Sequence, residues 1–254
     1  MKWQVLAEAA IFIGLSAGTA LAQLNGDQFD YFSRCADESL SPAKRIPYCR
    51  HLIGSGKGVE ADNQIRMLIA QALRDDGQYS DALAMLNEIL LHQGTDFGDM
   101  AYFYEERGTI YALEGQYEQA ITDADKVIEL APDAASSYDN RCWVRAIAGR
   151  DLAKALADCE EALKRSPGLA AILDSRGLVH FKLNDLKAAL DDYKSVMDAD
   201  GRQWGSLFVK GIVEIRLGDS ATGTADMTRA LRHNPNLAKI YSAYGVKQDA
   251  PPKD

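Results

Sequence analysis

The sequence lacks an excess of basic residues. It contains 28 Lys and Arg against 37 Asp and Glu, for a net charge of −9. Residues 1–22 contain one Lys and one Glu, so the remaining chain also carries −9. No basic patch stands out, and this charge argues against binding to nucleic acid or to an anionic membrane. After residue 22, no apolar run is long enough to span a bilayer.

Recognisable catalytic and metal-binding motifs are also missing. Apart from His51 beside Cys49, no His lies in a metal-ligand pattern, and no C-x-x-C pair indicates a redox role. Residues 53–58 are similar to a phosphate loop, but Gly58 stands where Ser or Thr is needed. We interpret this segment as a linker. We therefore predict no enzyme activity, no cofactor and no metal; a hydrolase or a metal-binding protein is an alternative.

The first 22 residues have the pattern of a secretory signal peptide. Lys2 precedes a mostly apolar stretch that ends in Ala20–Leu21–Ala22, an A-x-A cleavage signal. We expect cleavage between Ala22 and Gln23, and a periplasmic or secreted mature protein. The alternative is an uncleaved membrane anchor, although the stretch is short for a span and contains Glu8.

What the sequence does contain is a motif that recurs about every 34 residues. Small residues in the first helix of each unit, such as Gly108, match small residues in the second, such as Ala120. Small side chains allow two antiparallel helices to approach closely. A unit of this size cannot bury its apolar faces alone, so neighbouring units must stack. The motif is clearest in two segments: Tyr104–Arg107–Gly108–Tyr111–Gly115–Tyr117–Ala120–Pro132 and Leu173–Arg176–Gly177–His180–Leu186–Ala189.

This pattern resembles the tetratricopeptide repeat family over about residues 63 to 236. The resemblance implies an all-α fold, a right-handed superhelical solenoid of antiparallel helix pairs. Two departures stand out: Gly223 replaces the usual Ala, and Cys142 replaces a small Gly or Ala. We expect an array over residues 61–236 with units near 63–94, 101–134, 135–169, 170–203 and 204–236.

The segments that flank the array have separate roles. We expect residues 23–60 to form a helical hairpin and a linker, because Ser41–Pro42 is typical of an N-cap followed by the first helical residue. Residues 237–246 are expected to form a capping helix that covers the last repeat and favours a monomer. Residues 247–254 are expected to be disordered.

Four Cys residues in a chain with an export signal indicate disulfides. Four Cys allow three pairings, and the repeat geometry favours one of them. The midpoint of Cys35 and Cys49 is Pro42, and the midpoint of Cys142 and Cys159 falls in the turn of their helix pair. Each pair is therefore level across two neighbouring helices, and we predict Cys35–Cys49 and Cys142–Cys159. The alternative for Cys142 and Cys159 is that they are small buried apolar residues.

The family resemblance implies that the first helix of each unit lines a concave groove. In the central and C-terminal units this groove is apolar, with Trp143 and Phe181 as candidate anchors, and acidic residues follow one side. An aromatic stripe at helical spacing is also typical of a core, and that alternative stays open. The candidate groove residues are Tyr102, Glu105, Asp139, Trp143, Ile147, Asp174, Leu178, Phe181, Phe208 and Ile212.

These features favour a non-enzymatic exported adaptor. It would bind a peptide or amphipathic helix of another envelope or secreted protein, through shape and apolar anchoring, with acidic rim residues setting orientation. Replacing Trp143 and Phe181 by Ala together is expected to weaken binding and leave the fold intact. The rival hypothesis is a self-assembling structural envelope protein.

Overall fold

The computed structural model describes residues 26–37, 39–55, 59–91 and 100–247, and these form thirteen α-helices and no β-strand. The predicted all-α class is confirmed. The predicted signal peptide, residues 56–58 of the linker and residues 248–254 of the tail lie outside the described residues. The helices are α1 Gly26–Cys35, α2 Pro42–Leu52, α3 Val59–Asp75, α4 Tyr79–Leu91, α5 Met100–Leu113, α6 Tyr117–Leu130, α7 Ala135–Ala148, α8 Leu152–Arg165, α9 Ala170–Lys182, α10 Leu186–Ala199, α11 Trp204–Arg216, α12 Ser220–His233 and α13 Leu237–Ala243.

The chain divides between Glu114 and Gly115 into two compact units, the first with α1–α5 and the second with α6–α13. The two helices of the predicted repeat 101–134 therefore belong to different units. In the second unit the pairs α7/α8, α9/α10 and α11/α12 pack together, and the first helices α7, α9 and α11 also contact one another in sequence order. None of the helices in the described ranges has the length and apolar character needed to cross a bilayer.

Small residues set the spacing within each pair, as the sequence predicts. A Cβ added to Gly177 of α9 would lie 3.0 Å from the ring of Tyr193 in α10. In the last pair a Cβ on Gly223 would lie 2.4 Å from the carbonyl oxygen of Gly211, closer than real Cβ contacts allow. Gly223 departs from the family pattern because α11 and α12 approach too closely for Ala.

A column of ion pairs also joins the helices of each pair in the second unit, and the sequence reasoning missed it. Arg141 Nη2 lies 2.6 Å from Asp158 Oδ1, and Arg176 Nη2 lies 2.6 Å from Asp192 Oδ1. In the last pair, Lys210 Nζ lies 2.7 Å from Asp226 Oδ2. The signal was present, because a basic residue recurs at one repeat phase with an Asp 16 or 17 positions later. Such partly buried pairs fix the register of two helices more than they add stability.

The N-terminal hairpin α1–α2 packs on α3 of the first unit. Phe32 and Leu52 belong to the same apolar cluster as Ile65 and Ile69 of α3. The sulfurs of Cys35 and Cys49 are at bonding distance, with their Cα atoms 4.8 Å apart. We call residues 26–52 the N-terminal cover of the first unit.

The second predicted pair, Cys142 and Cys159, is also at bonding distance, across α7 and α8, with Cα atoms 5.5 Å apart. Both side chains are fully buried. Cys142 occupies a phase where the family has a small residue, so the bridge lies in the layer where the two helices touch.

Candidate functional site

The predicted groove residues of the second unit lie on α7, α9 and α11, and we call this surface the inner face. Five of them are only 2–4% exposed, and Asp139, Trp143 and Asp174 are partly buried. The alternative that the apolar stripe is core is therefore correct for those five. They are Ile147, Leu178, Phe181, Phe208 and Ile212.

The inner face is covered by residues 237–247 of the same chain, which we call the C-terminal cover. The ring of Tyr241 lies on Phe208 with centroids 5.8 Å apart. The ring of Tyr244 lies edge-on to Trp143, with centroids 6.1 Å apart and planes at 84°. Tyr241 and Tyr244 also contact each other, with centroids 5.7 Å apart. Edge-to-face and offset contacts at such distances are favourable aromatic geometries.

The fit of Tyr241 depends on a glycine at the start of α11. A Cβ built on Gly205 would lie 2.4 Å from the hydroxyl oxygen of Tyr241 and 3.3 Å from two ring carbons. Burial strongly raises the pKa of the Tyr241 phenol, with Asp174 and Tyr244 adding to the effect. Only a residue without a side chain at position 205 leaves room for this ring.

The rest of the cover is held by apolar burial and by Arg216. Leu237 and Val246 are buried, one at each end of the cover. Arg216 stacks over Phe181, with its guanidinium carbon 4.5 Å from the ring centroid, and its Nη2 donates to the carbonyl of Lys247 at 3.1 Å. Arg216 therefore links an inner-face aromatic residue to the end of the cover.

Lys182, at the end of α9, is the second cation beside the cover. Its Nζ donates to the carbonyl of Ile147 at 3.2 Å, and a Cβ built on Gly245 would lie 3.3 Å from that nitrogen. Burial lowers the pKa of Lys182 to about 8. Gly245 has φ +75°, so the chain turns past Lys182 in a conformation that suits glycine.

The acidic residues of the inner face do not form a solvated rim, which corrects the sequence prediction for Asp139 and Asp174. Asp139 Oδ1 is buried and accepts no hydrogen bond from the described residues. Burial raises the pKa of Asp139 to about 6; a hydrogen bond from Ser175 opposes this rise and the nearby Asp174 adds to it. Asp174 accepts a hydrogen bond from Ser206 Oγ, and burial also raises its pKa.

Phe181 is a second correction. The repeat pattern predicts a partner anchor here, whose replacement leaves the fold intact. In the structure it is 4% exposed and lies beneath Arg216. Truncating a buried Phe creates a cavity, so Phe181 is a core residue in the covered state.

In the first unit, the predicted groove residues Tyr102 and Glu105 lie on α5 and are partly buried. Gln71 Nε2 donates to the Tyr102 hydroxyl, and burial raises the pKa of Tyr102 to about 12. Glu106, which follows Glu105 in α5, is buried. Both of its carboxylate oxygens accept from Arg74 Nη1, at 2.8 and 2.6 Å.

Desolvation raises the pKa of Glu106 to about 7, although the Arg74 guanidinium opposes the rise. Tyr102 and Glu106 are thus engaged with residues of α3 in their own unit. Among the residues that the structure describes, no group of three His, Cys, Asp or Glu side chains could hold a metal ion. The inner face offers ring stacking and apolar contact.

Comparison with known proteins identifies the repeat. A family model described as tetratricopeptide repeat matches residues 67–135. Human tetratricopeptide repeat protein 13 is 22% identical over 213 residues, which cover 82% of this chain and 23% of that protein. Protein FlbA of Caulobacter vibrioides is 31% identical over 131 residues, covering 50% of this chain and 21% of that protein. The chain thus spans less than a quarter of the length of these curated relatives.

Solved structures share the fold over most of the chain. A tetratricopeptide repeat protein from Parabacteroides merdae superimposes with a TM-score of 0.62 at 12% identity, covering 87% of this chain and 86% of that one. A thermophilic tetratricopeptide repeat protein from Thermus thermophilus gives a TM-score of 0.60 at 16% identity, covering 72% and 97%. At these identities the likeness concerns the fold alone.

Proposed function

Since the chain is a tetratricopeptide repeat protein, we propose that it is a non-enzymatic, exported adaptor that binds a peptide or helix of another protein on the inner face of its second unit. The tetratricopeptide fold supports a role in protein–protein interaction. We infer export, the kind of partner and the binding face from the residues of this chain.

One observation carries the choice of face. Residues 237–247 lie across three first helices and consist of a short helix followed by irregular chain. Tyr241 meets α11, Gly245 lies beside the end of α9, and Tyr244 meets α7. The inner face thus has the dimensions and the apolar character to hold a peptide segment. Short amphipathic helices commonly bind such surfaces through residues spaced by one turn.

Export is supported by the first 22 residues and by the two cysteine pairs. Disulfides persist in oxidising compartments and are rare in the cytosol. Two pairs at bonding distance, with no free cysteine among the described residues, suit a protein of the periplasm or the extracellular space. Thiol counting on protein recovered from the expressing cells tests this claim, and four free thiols would contradict it.

The adaptor hypothesis is tested by photo-crosslinking in cells. A benzophenone amino acid at Trp143 keeps an aromatic group on the inner face. The same group at Leu130 is the control, because Leu130 is exposed at the end of α6, a second helix. We expect adducts to another protein from position 143 and none from position 130.

Identical adducts from both positions, or none from position 143, would contradict the adaptor hypothesis. Adducts from position 143 only to other copies of this chain would instead support the self-assembling structural protein.

A further inference from the structure

The C-terminal cover is attached to its unit by features that permit its release. It follows α12 through the turn Asn234–Pro235–Asn236 and contains a helix of only seven residues. A helix of this length is not stable in water by itself, so its structure depends on the surface beneath it. No disulfide among the described residues joins the cover to the array.

The contacts of the cover define a side-chain pattern. Tyr241 occupies the space above Gly205 and Phe208, and Tyr244, one helical turn later, meets Trp143. Val246, two residues further, is buried. The intervening Ser242 and Ala243 are exposed. The segment therefore places two aromatic rings, at positions i and i+3, against the inner face and buries a branched aliphatic residue at i+5.

Both cations lie beside the backbone of the segment, and Arg216 binds it directly. Arg216 donates to the carbonyl oxygen of Lys247, and Lys182 lies beside Gly245, which has no side chain. These contacts fix the direction and end point of the segment, and they are available to any chain with the same backbone path. Sequence selectivity thus comes from the two rings and the aliphatic residue.

We propose that the C-terminal cover is an internal ligand, and that the partner of the adaptor carries the same pattern, aromatic-x-x-aromatic-x-aliphatic, and displaces it. This inference rests on the proposed function for the identity of the binding face. A tethered segment has an effective concentration in the millimolar range, so a free peptide competes poorly with it. Cutting the tether should raise the affinity for a free peptide by roughly 10- to 100-fold.

The test uses the full chain with a protease site inserted between Pro235 and Asn236, both exposed. Cutting keeps every residue present, so the cut and uncut chains differ only in the tether. The probe is a fluorescein-labelled peptide with the sequence of residues 236–247, and binding is measured by fluorescence polarisation. The matched control peptides are Ser242→Ala, which alters an exposed position, and the double change Tyr241→Ala with Tyr244→Ala.

We expect the cut chain to bind the native and Ser242→Ala peptides at least about tenfold more tightly than the uncut chain does. The double-alanine peptide should lose this binding. Equal binding by cut and uncut chains, or equal binding of the native and double-alanine peptides, would overturn the inference.

A second variant tests displacement of the cover without cutting the chain. Tyr244→Ala in the uncut chain weakens the cover and leaves every residue of α7, α9 and α11 in place. It should bind the native peptide more tightly than the unaltered uncut chain, and unchanged binding would overturn the inference.

Crosslinking from position 143 separates this inference from the proposed function. If Tyr244→Ala increases the yield of partner adducts, displacement of the cover is supported in cells. If partner adducts form equally with and without Tyr244→Ala, the adaptor role stands and displacement is wrong. If the peptide binds as expected and no partner adduct forms, the internal ligand stands and the adaptor role fails.

Discussion

The two covers of this chain differ in their internal crosslinking and in their contacts with the units beneath them. In the first unit, the N-terminal cover is a pair of helices with Cys35 and Cys49 at bonding distance, and the buried Arg45 donates to the Cys35 carbonyl at 3.1 Å. In the second unit, the C-terminal cover is a single short helix held by Tyr241 and Tyr244. The bridge joins the two helices of the N-terminal cover to each other and so keeps that hairpin together, whereas the ring contacts of the C-terminal cover can be exchanged for others of the same kind.

We interpret the N-terminal cover as part of the core of its unit and the C-terminal cover as the occupant of a proposed binding face. The N-terminal cover shares one apolar cluster with α3, so it completes the core of its unit. The C-terminal cover lies over residues whose repeat phase predicts a binding surface. The C-terminal cover thus occupies that surface in this structure.

The largest expected effect comes from truncating the inner face itself. Phe181→Ala should destabilise the second unit by about 3–5 kcal/mol, because it leaves a cavity beneath Arg216. Trp143→Ala should cost less, since Trp143 is partly exposed. Urea denaturation followed by circular dichroism measures both values. If both variants lose an equally small amount of unfolding free energy, Phe181 is not a core residue, and the inner face does not divide into core and binding surface.

Removal of the bridge from the N-terminal cover is the next largest change. Cys35→Ser with Cys49→Ser should destabilise the first unit by about 3 kcal/mol, as expected for a loop of about 15 residues. Limited proteolysis should then cut within residues 39–41 faster than in the unaltered chain. The control pair, Cys142→Ser with Cys159→Ser, should leave that rate unchanged. Faster cutting in the control would show that the effect is not specific to the Cys35–Cys49 bridge.

Asp139 makes the second unit sensitive to pH. Its folded-state pKa of about 6 lies above its ordinary value of 3.8, so the folded state favours the protonated acid. The stabilising effect of protonation is complete below about pH 4 and is lost as the pH rises through 6. Asp139→Asn should therefore be more stable than the unaltered chain by about 2–3 kcal/mol at pH 7.5 and about equally stable at pH 4. A pH-independent difference in unfolding free energy between the two proteins would refute this assignment.

Gly205→Ala gives the smallest effect on overall stability and acts only on the C-terminal cover. The added methyl group clashes with Tyr241, at a cost of about 1–2 kcal/mol. Cleavage by trypsin after Lys239 or Lys247 should accelerate. Gly201→Ala is the matched control, since its added Cβ would have an ordinary contact of 3.7 Å with Met197 O. Similar acceleration of cleavage in both variants would show that Gly205 has no specific role in seating Tyr241.

The repeat pairs could be predicted from the sequence because each depends on local spacing. Small residues at matched phases, a turn glycine and a following proline place α6 through α12 within a few residues of their observed bounds. The partners of all four cysteines followed from the same geometry. These features repeat, so each unit supports the interpretation of the next.

The state of the inner face could not be predicted in the same way. Tyr241 and Tyr244 lie outside the repeat, and only the path of the chain after Pro235 brings them over Phe208 and Trp143. Gly205 carried a signal, because a glycine on the inner face of a first helix leaves room for a large neighbour. The buried Asp139 and Asp174 carried none, since acidic residues at helical spacing usually face water.

Hydrogen–deuterium exchange on the full chain tests most directly whether the two covers differ. The account predicts that amides of α13, such as those of Tyr241 and Ala243, exchange at least about 100-fold faster than amides of α2 and α11, because the C-terminal cover opens without unfolding of the array. Gly205→Ala should widen this gap by accelerating α13 alone. Exchange of α13 at the rate of α11 in both proteins would show that the cover opens only with its unit, and would contradict the account.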